Sequence, residues 1–319
     1  MPPSFPEIEL EDVPCPLGCA AGDDVVLIGH DRLQGLPGKF GVVRCRGCAL
    51  MRTNPRPAPS SIGAYYLPEY GPYLGTRITS ETDGPRPLWR RMARQVFPFN
   101  AERLPPLKPG RMLEVGCASG AFMHRMAARG WEVEGIEFSP EAAAYPRRLG
   151  YPVHSGSLET APSPAAPYDL VVAWMTLEHL HDPVLGLRKL RGWTRSGGWL
   201  VASVPNAGAL EFRVFKDAWY ALHLPNHLYH FTPKTLGRLL GRAGWRLDRI
   251  FHQRMLGNLV GSLGYRLRDR GCPLRLTQPL IDFPEKGRVG HLALFPVAGL
   301  LGLFGQTGRM TIWARPIDD

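Results

Sequence analysis

The chain has 319 residues and a net charge of +10 at neutral pH, from 38 basic and 28 acidic side chains. A hydrophobic fraction of 44% predicts a buried core and excludes a largely disordered chain. The longest apolar run, residues 292–304, is too short for a membrane-spanning helix, which needs about 20 apolar residues. The basic balance favours acidic partners, but no block of like charges indicates a nucleic-acid-binding tail.

The N-terminal region contains two cysteine pairs, CPLGC at 15–19 and CRGC at 45–48. The first residues, MPPSFPEIELEDVP, lack the basic and apolar segments of a secretory signal, so we expect a cytoplasmic location and reduced thiols. Four thiolates on two tight turns can close a tetrahedral zinc site. We therefore predict a zinc knuckle domain over residues 1–60, with structural zinc held by Cys15, Cys19, Cys45 and Cys48.

A turn-rich stretch and a short amphipathic pattern at 87–97 predict a linker and helical lead-in over residues 61–110. From residue 111 to 319, apolar runs of strand length alternate with helical patterns. RMLEVGC, EVEGIEFS, YDLVVAWMT and GGWLVASVPN are among the expected strands. This alternation predicts an α/β fold, a doubly wound Rossmann-like sheet covered by helices on both faces. Residues 254–308 interrupt the alternation, and we expect them to form a lid.

The stretch LEVGCASG at 113–120 combines the end of a strand with an acid and a glycine-bearing turn. A dinucleotide loop reads G-x-G-x-x-G and approaches a pyrophosphate, whereas Glu114 would repel a diphosphate. S-adenosylmethionine instead carries an ammonium and a sulfonium and has no phosphate. Gly116 and Gly120 would let the backbone approach such a ligand. Glu137 ends the next strand, where an acid can accept hydrogen bonds from the ribose hydroxyls.

These motifs, together with GIEFSP, YDLVVAWMTLEHLHDP and GGWLVASVPN, resemble the class I S-adenosylmethionine-dependent methyltransferases over about residues 85–316. The resemblance implies a seven-stranded sheet whose last strand is antiparallel. The N-terminal cysteine pairs also occur in a bacterial subgroup of this family, some of whose members act on sugars or natural products. The cofactor contacts that the resemblance implies are the loop residues Glu114, Gly116, Ala118 and Gly120, Glu137 and Phe138 at the ribose and adenine, Ser157 and Leu158 against the adenine, and Trp174 and Met175 near the sulfonium.

Histidines concentrate in LEHLHDP at 177–183 and in WYALHLPNHLYHF at 219–231. Both segments should face the edge of the sheet that holds the methyl donor. Methyl transfer needs alignment, and a hydroxyl acceptor also needs a base, for which histidine is suited. The catalytic candidates are His179, His223, His227 and His230, with His227 as first choice and His179 as second. A metal bound by the three histidines of the second segment ranks lower, because no acidic ligand lies within that cluster.

The sequence therefore predicts an enzyme that transfers a methyl group from S-adenosylmethionine to a small-molecule acceptor of sugar, lipid-linked or natural-product type, at a hydroxyl. An RNA-binding methyltransferase and a catalytically silent binding module are the alternatives. YYLPEYGPYL has aromatic residues without interleaved basic ones, which counts against nucleic acid as a partner. We expect a buried helical hairpin within 254–308, and peripheral membrane contact through its apolar stretches is the alternative.

Overall fold

In the computed structural model, which describes residues 5–67, 99 and 102–317, the chain begins with short strands. They are β1 (Leu10–Glu11), β2 (Asp23–Gly29), β3 (Phe40–Cys45), β4 (Met51–Thr53) and β5 (Arg56–Pro57). β2, β3 and β4 form an antiparallel meander, and β1 pairs with β5. The helix predicted over 87–97 lies outside the described residues.

From residue 111 onward, strands alternate with helices as the sequence predicts. In chain order the elements are β6 (Arg111–Val115), α1 (Ala121–Ala127), β7 (Glu132–Glu137), α2 (Pro140–Arg148), β8 (Val153–Ser155), β9 (Tyr168–Trp174), α3 (Pro183–Trp193), β10 (Thr194–Pro205), α4 (Leu210–Phe215), β11 (Tyr229–His230), α5 (Pro233–Arg242), β12 (Trp245–His252), α6 (Gly257–Asp269), α7 (Leu274–Lys286), α8 (Arg288–Ala293), α9 (Phe295–Leu303) and β13 (Arg309–Pro316).

Seven of these strands form one sheet in the order β12-β13-β10-β9-β6-β7-β8. β13 is antiparallel to both of its neighbours, and the other pairs are parallel. The seven-stranded Rossmann-like sheet expected from the sequence is therefore confirmed. The strand order reverses between β6 and β9, so the carboxyl ends of these two strands border the crevice where such sheets bind ligands.

Alternate residues of the central strands enter two hydrophobic clusters, one on each face of the sheet. Leu113 of β6 packs in the cluster that contains Leu187 of α3, and Met112 packs in the one that contains Met123 of α1. This alternation follows from the two-residue period of a strand. Both faces are thereby removed from water, as a parallel sheet requires.

The N-terminal strands are joined to the second half of the chain through β11. β11 pairs with β4 and completes a four-stranded sheet in the order β11-β4-β3-β2. The Thr53 N–H also donates to the Leu228 carbonyl at 2.9 Å. One hydrophobic cluster runs from Cys45 and Leu50 to Leu200. The histidine-bearing segment 219–231 is thus held by the N-terminal region, and the domain boundary near residue 60 stays a prediction.

The insertion between β12 and β13 consists of helices. α6 and α7 pack against each other and bury Tyr265 and Ile281, in agreement with the expected hairpin. α9 instead leaves Leu300 and Leu303 exposed. In the described part of the chain, every helix is too short or too polar to cross a bilayer.

Candidate functional site

A cavity of about 1950 Å³ opens at the carboxyl ends of β6, β7 and β9. Its walls also include residues from the N-terminal region, from segment 219–231 and from the insertion. Cavities that bind one small ligand usually measure about 300–1,000 Å³. The volume therefore accommodates a cofactor and an acceptor side by side.

The loop after β6 is held in conformations that favour glycine. Gly116 has φ of 72°, and a Cβ there would lie 2.5 Å from Thr176 Oγ1. Gly120 has φ of 78°, and a Cβ there would lie 2.6 Å from Pro146 Cβ. Ala118, between them, also adopts a left-handed conformation, with φ of 47°. The loop backbone therefore packs closely against its neighbours, as the glycines in the sequence predict.

Two buried acids border this loop. Glu114 is 3% exposed, and its Oε2 has no hydrogen-bond partner among the described residues. Burial raises the pKa of Glu114 well above its ordinary range. A buried, unpartnered carboxyl oxygen at a cavity wall fits a ligand that brings a cationic group, such as an ammonium.

Glu137 is also buried but is firmly held. Its Oε2 accepts the Ala118 N–H at 2.7 Å, and its Oε1 accepts the Ser139 N–H at 2.8 Å. Burial raises its pKa, and these backbone donors act in the opposite direction. Each carboxylate oxygen can accept more than one hydrogen bond, so Glu137 keeps capacity for the two hydroxyls of a ribose.

Nine of the ten residues predicted to contact the cofactor line the cavity, and Gly120 is the exception. Phe138 is 46% exposed and offers an apolar face to the cavity beside Glu137. The Trp174 ring packs edge-on against Phe122 at 5.2 Å, and its Nε1 has no described hydrogen-bond partner. Met175 has φ of 53° at the sharp turn that follows β9.

Three of the four predicted catalytic histidines line the cavity, namely His179, His223 and His227. His230 lies outside the lining of the cavity and is 1% exposed. Its Nε2 is 3.3 Å from Thr53 Oγ1, at the junction of β11 with β4. The structure therefore favours a packing role for His230.

The three cavity histidines are held in specific orientations. His227 Nδ1 is 2.9 Å from the Ala221 carbonyl oxygen, and His227 Nε2 is 3.3 Å from His223 Nδ1. His179 Nδ1 is 2.8 Å from the Tyr66 hydroxyl. Burial lowers the pKa of His223 to about 3 and that of His179 to about 4. All three rings are therefore neutral at physiological pH, since burial also lowers the pKa of His227.

Glu178 is an acid of this cluster that the sequence reasoning missed. It is fully buried, and neither carboxyl oxygen has a described hydrogen-bond partner. Its Oε1 is 3.9 Å from His227 Nε2, and single donor atoms of Glu178, His179 and His227 lie within 4.8 Å of one another. Burial raises the pKa of Glu178 to about 8, so this contact joins two neutral groups rather than an ion pair. The sequence does place Glu178 directly before the candidate His179, and this adjacency could have identified it.

The four N-terminal cysteines meet in space. Their Sγ atoms lie within 4.8 Å of one another, and Cys15 Sγ is 3.5 Å from Cys48 Sγ. Sulfurs bound to one tetrahedral zinc at about 2.3 Å would be separated by about 3.8 Å. At Gly47, a Cβ would lie 3.2 Å from Cys19 Sγ, so a larger residue there would crowd the cluster. The cluster therefore has the dimensions of a four-cysteine metal site.

Comparisons with known proteins agree with this geometry. A model of the methyltransferase domain family matches residues 88–250, which is half of the chain. The chain is 27% identical over 184 residues to the ubiquinone biosynthesis O-methyltransferase of Xanthomonas axonopodis pv. citri, covering 53% of this chain and 76% of that protein. It is 28% identical over 130 residues to the malonyl-[acyl-carrier protein] O-methyltransferase of Serratia marcescens, covering 40% of this chain and 50% of that protein.

Among solved structures, the [4+2]-cyclase SpnF superposes with a TM-score of 0.50 at 19% identity, covering 82% of this chain and 98% of the other. At that identity the likeness concerns the fold alone. The assignment rests on the family match, on the strand order and on the loop that follows β6. The chain belongs to the methyltransferase domain family and is a class I S-adenosylmethionine-dependent methyltransferase.

Proposed function

We propose that the protein transfers the methyl group of S-adenosylmethionine to a hydroxyl oxygen of a small molecule. The observation that carries the proposal is the chain of contacts from His223 through His227 to the Ala221 carbonyl, beside the cavity. Both relatives are named as O-methyltransferases, which supports transfer to oxygen. The bound cofactor supplies an electrophilic methyl group, and the residues of the chain orient both ligands and accept a proton.

The cofactor would be held by the residues around the loop after β6. Glu114, with its unpartnered oxygen, would accept from the ammonium, and Glu137 would accept from the ribose hydroxyls. Phe138 and Leu158 would flank the adenine, and Trp174 and Met175 would border the sulfonium, since all of these line the cavity. With the cofactor placed in this way, the acceptor would bind against the remaining wall of the cavity, which is formed by segment 219–231 and the insertion.

His223 is the proposed base. A carbonyl can only accept a hydrogen bond, so the contact with Ala221 assigns the proton of neutral His227 to Nδ1. His227 Nε2 then accepts from His223 Nδ1, and His223 Nε2 is the basic nitrogen. His223 is thus proposed to accept the hydroxyl proton, and His227 to orient it. This preference replaces the His227 that the sequence favoured.

The lowered pKa of His223 also bears on the acceptor. A base with a pKa of about 3 is always in its basic form at neutral pH, but it is weak. Proton transfer to a weak base is more favourable from an acidic hydroxyl, such as that of a phenol or enol, than from an aliphatic alcohol. The acidic type of hydroxyl is therefore preferred to the sugar hydroxyls expected from the sequence.

The test is methyl transfer from S-adenosylmethionine labelled with carbon-13 in its methyl group. Phenols, aliphatic alcohols, anilines and carbon acids are offered as separate acceptor sets, and the carbon-13 shift of the product identifies the methylated atom. We expect O-methyl products from the phenols. Transfer only to nitrogen or carbon, by protein that binds the cofactor, would refute the proposal.

We further propose that Cys15, Cys19, Cys45 and Cys48 hold a structural zinc ion. The mutual approach of the four Sγ atoms supports this, because clustered free thiols without a metal bring no comparable stability. A site with four cysteine ligands has no open coordination position. Its role would therefore be to stabilise β2–β4, on which segment 219–231 is supported.

A further inference from the structure

Arg309 stands at the far end of the cavity from the cofactor loop. It is the first residue of β13 and lies opposite Pro205 of β10, whereas Ser203 of β10 lies opposite Trp174 of β9. Neighbouring strands are separated by about 4.8 Å, so Arg309 is two strands, or about 10 Å, from the end of β9. Arg309 lines the same cavity as Trp174. Its side chain is thus placed on the acceptor side of the methyl donor.

The guanidinium of Arg309 lacks the partners that a protein usually gives a cation in such a position. Within the described ranges, its Nε is buried without a hydrogen-bond partner, and no carboxylate lies within 4.0 Å of it. Arg32, on another wall of the cavity, is held by Asp217 at 2.9 Å and by Asp269 at 2.8 Å. The chain thus satisfies Arg32 internally and leaves Arg309 to meet a ligand.

Glu211, the acid that contacts the neighbouring residue Gly308, is engaged elsewhere. Glu211 accepts the Gly308 N–H at 3.2 Å and the Trp219 Nε1–H at 3.4 Å, and it is held too closely to Gly308 for any Cβ to fit there. Arg309 is close enough for its positive charge to lower the pKa of Glu211, Glu178 and His223. Within the described ranges, neither Glu211 nor Glu178 forms an ion pair with Arg309, so its guanidinium has no carboxylate in direct contact.

The remaining wall near Arg309 suits an apolar ring. Tyr220 and Tyr265 are stacked with ring centroids 5.7 Å apart and an interplanar angle of 16°, and both line the cavity. Their hydroxyls are neutral, because burial raises the pKa of Tyr265 to about 12 and that of Tyr220 higher still. A ligand here meets aromatic surface, the paired guanidinium of Arg32 over Tyr265, and Arg309, which has no ion-pair partner in the described residues.

We propose that Arg309 binds an anionic group, a carboxylate or a phosphate, carried by the methyl acceptor. The acceptor is then an acidic small molecule with an apolar body, not a neutral sugar or alcohol. The planar guanidinium matches both anions, since each offers two oxygens to a pair of N–H donors. The inference rests on the proposed function, because it places the acceptor in the part of the cavity that the cofactor leaves open.

The experiment uses the full-length protein saturated with S-adenosylhomocysteine and a matched set of probes. 3-Hydroxybenzoate carries a carboxylate, phenyl phosphate a phosphate, and 3-hydroxybenzamide is the neutral counterpart of the first. Calorimetry gives each affinity, and the Arg309 Nε–H signal in nitrogen-15 spectra reports contact directly. We expect at least one anion to bind about 10-fold or more tightly than the amide and to shift that signal. The anion that binds more tightly shows whether the acceptor carries a carboxylate or a phosphate.

Arg309→Gln should lower the affinity for the preferred anion about 10- to 100-fold and leave the amide unaffected. Arg309→Lys should restore part of the preference. Arg249→Gln, which removes an exposed arginine of β12 outside the cavity, is the matched control. Equal binding of acid and amide, or no shift of the Arg309 signal by any probe at millimolar concentration, would overturn the proposal.

Cofactor binding separates this inference from the proposed function. If Arg309→Gln weakens S-adenosylmethionine binding as much as probe binding, the arginine serves the cofactor, and the inference is wrong. If Arg309→Gln keeps its affinity for the cofactor and still methylates neutral phenols, but loses the preference for acidic acceptors, the proposed function and the role of Arg309 are both supported. O-methylation of neutral phenols with no role for Arg309 would leave the proposed function intact and remove only the acidic acceptor.

Discussion

His227 Nε2 lies 3.3 Å from His223 Nδ1, while His227 Nδ1 lies 2.9 Å from the Ala221 carbonyl. Because that carbonyl accepts a hydrogen bond from Nδ1, the two rings differ in which nitrogen carries the proton, whereas the sequence favoured His227 as the base. In the proposed function, His223 Nε2 would accept the proton, and His227 would fix which nitrogen of His223 is basic. The contact therefore orders the histidine candidates in a way that spacing alone cannot.

Replacing His223 with Ala is expected to lower turnover of a hydroxyl acceptor by about 10²–10⁴, with cofactor affinity little changed. Single-turnover rates and calorimetric cofactor affinity measure the two effects separately. His230→Gln is the control, because His230 is buried against Thr53 rather than at the cavity. That variant should lose stability and keep the turnover of its folded fraction. Wild-type turnover in His223→Ala would exclude His223 as the base.

The pH profile of the same reaction follows from the lowered pKa of His223. Free histidine loses basicity below a pH of about 6.5, but burial lowers this pKa to about 3. The neutral, basic form therefore persists, and turnover should stay level as pH falls through 6.5 toward about 5. A rate that halves near pH 6.5 in the wild type, and no longer does so in His223→Ala, would contradict the burial argument.

The sheet and the cofactor loop could be predicted from the sequence because their signals are local. Apolar runs, their spacing and the glycines of 113–120 are properties of adjacent residues. β9 was expected at 168–176 and spans Tyr168–Trp174. β10 begins earlier than expected, at Thr194, because α3 passes directly into the strand and a register shift before Trp199 absorbs the irregularity.

The acceptor side could not be predicted because its neighbours are distant in the chain. The pairing of β11 with β4 joins residues almost 180 positions apart and removes His230 from the cavity. Nothing in the spacing of the histidines distinguishes His230 from His223. No feature of the sequence marks Arg309 as a ligand-binding residue. A single arginine at the start of a strand becomes a candidate only when the fold leaves it without an acidic partner.

Glu137→Ala should weaken S-adenosylmethionine binding by about 1.5–3 kcal/mol, the range for hydrogen bonds to a charged group. The same change removes an acceptor from the Ala118 and Ser139 N–H groups, so the loop should also become more mobile. Calorimetry measures the affinity, and hydrogen exchange of the loop measures the second effect. Glu141→Ala, at a nearby exposed acid, is the control. Unchanged affinity in a folded Glu137→Ala protein would remove Glu137 from the cofactor site.

Ala118→Gly should stabilise the protein. Ala118 has φ of 47°, and a left-handed conformation costs a residue with a Cβ about 1–2 kcal/mol. Glycine avoids this cost but loses more backbone freedom on folding, so the net gain should be about 0.5–1 kcal/mol. Urea unfolding with and without cofactor provides the measurement. A destabilised variant would show that the Ala118 methyl group makes packing contacts worth more than the strain.

The purified protein should contain about one zinc ion per chain, and Cys45→Ser should release it. We expect β2–β4 to loosen and, through the pairing of β4 with β11, turnover to fall while cofactor affinity is kept. Elemental analysis and hydrogen exchange over residues 15–53 measure these effects. Cys272→Ser, at a cysteine outside the cluster, should change neither. Freshly prepared protein without metal would end the zinc proposal.

A second metal equivalent would have a different meaning. If it survived Cys45→Ser and disappeared in Glu178→Gln, it would assign a metal to Glu178, His179 and His227, whose donor atoms lie within 4.8 Å of one another. The histidines would then act as ligands, and the proposed proton transfer to His223 would need revision. A stoichiometry of one excludes this arrangement.

Glu178→Gln should change how the stability of the protein depends on pH. Burial raises the pKa of Glu178 to about 8, whereas a glutamate in the unfolded chain has a pKa of about 4.3. The native state therefore keeps a proton that the unfolded state loses, and the stabilisation is lost as pH rises through the folded pKa. The buried histidines have lowered pKa values and act oppositely, but only below a pH of about 6.5.

Between pH 6.5 and pH 8, Glu178 therefore makes a negative contribution to the slope of the free energy of unfolding against pH. Over this interval, we expect Glu178 to lower the free energy of unfolding of the wild type by about 1–2 kcal/mol relative to Glu178→Gln. One group contributes at most about 1.4 kcal/mol per pH unit. Glutamine keeps the shape of the glutamate side chain and has no carboxyl proton to lose, so the contribution of Glu178 to the slope should vanish in Glu178→Gln. The control Glu141→Gln, at an exposed acid, should keep the wild-type slope. Urea unfolding at four pH values measures the slope. Equal slopes in the wild type and in Glu178→Gln would mean that Glu178 is ionised in the native state, as it would be beside a metal bound at this cluster.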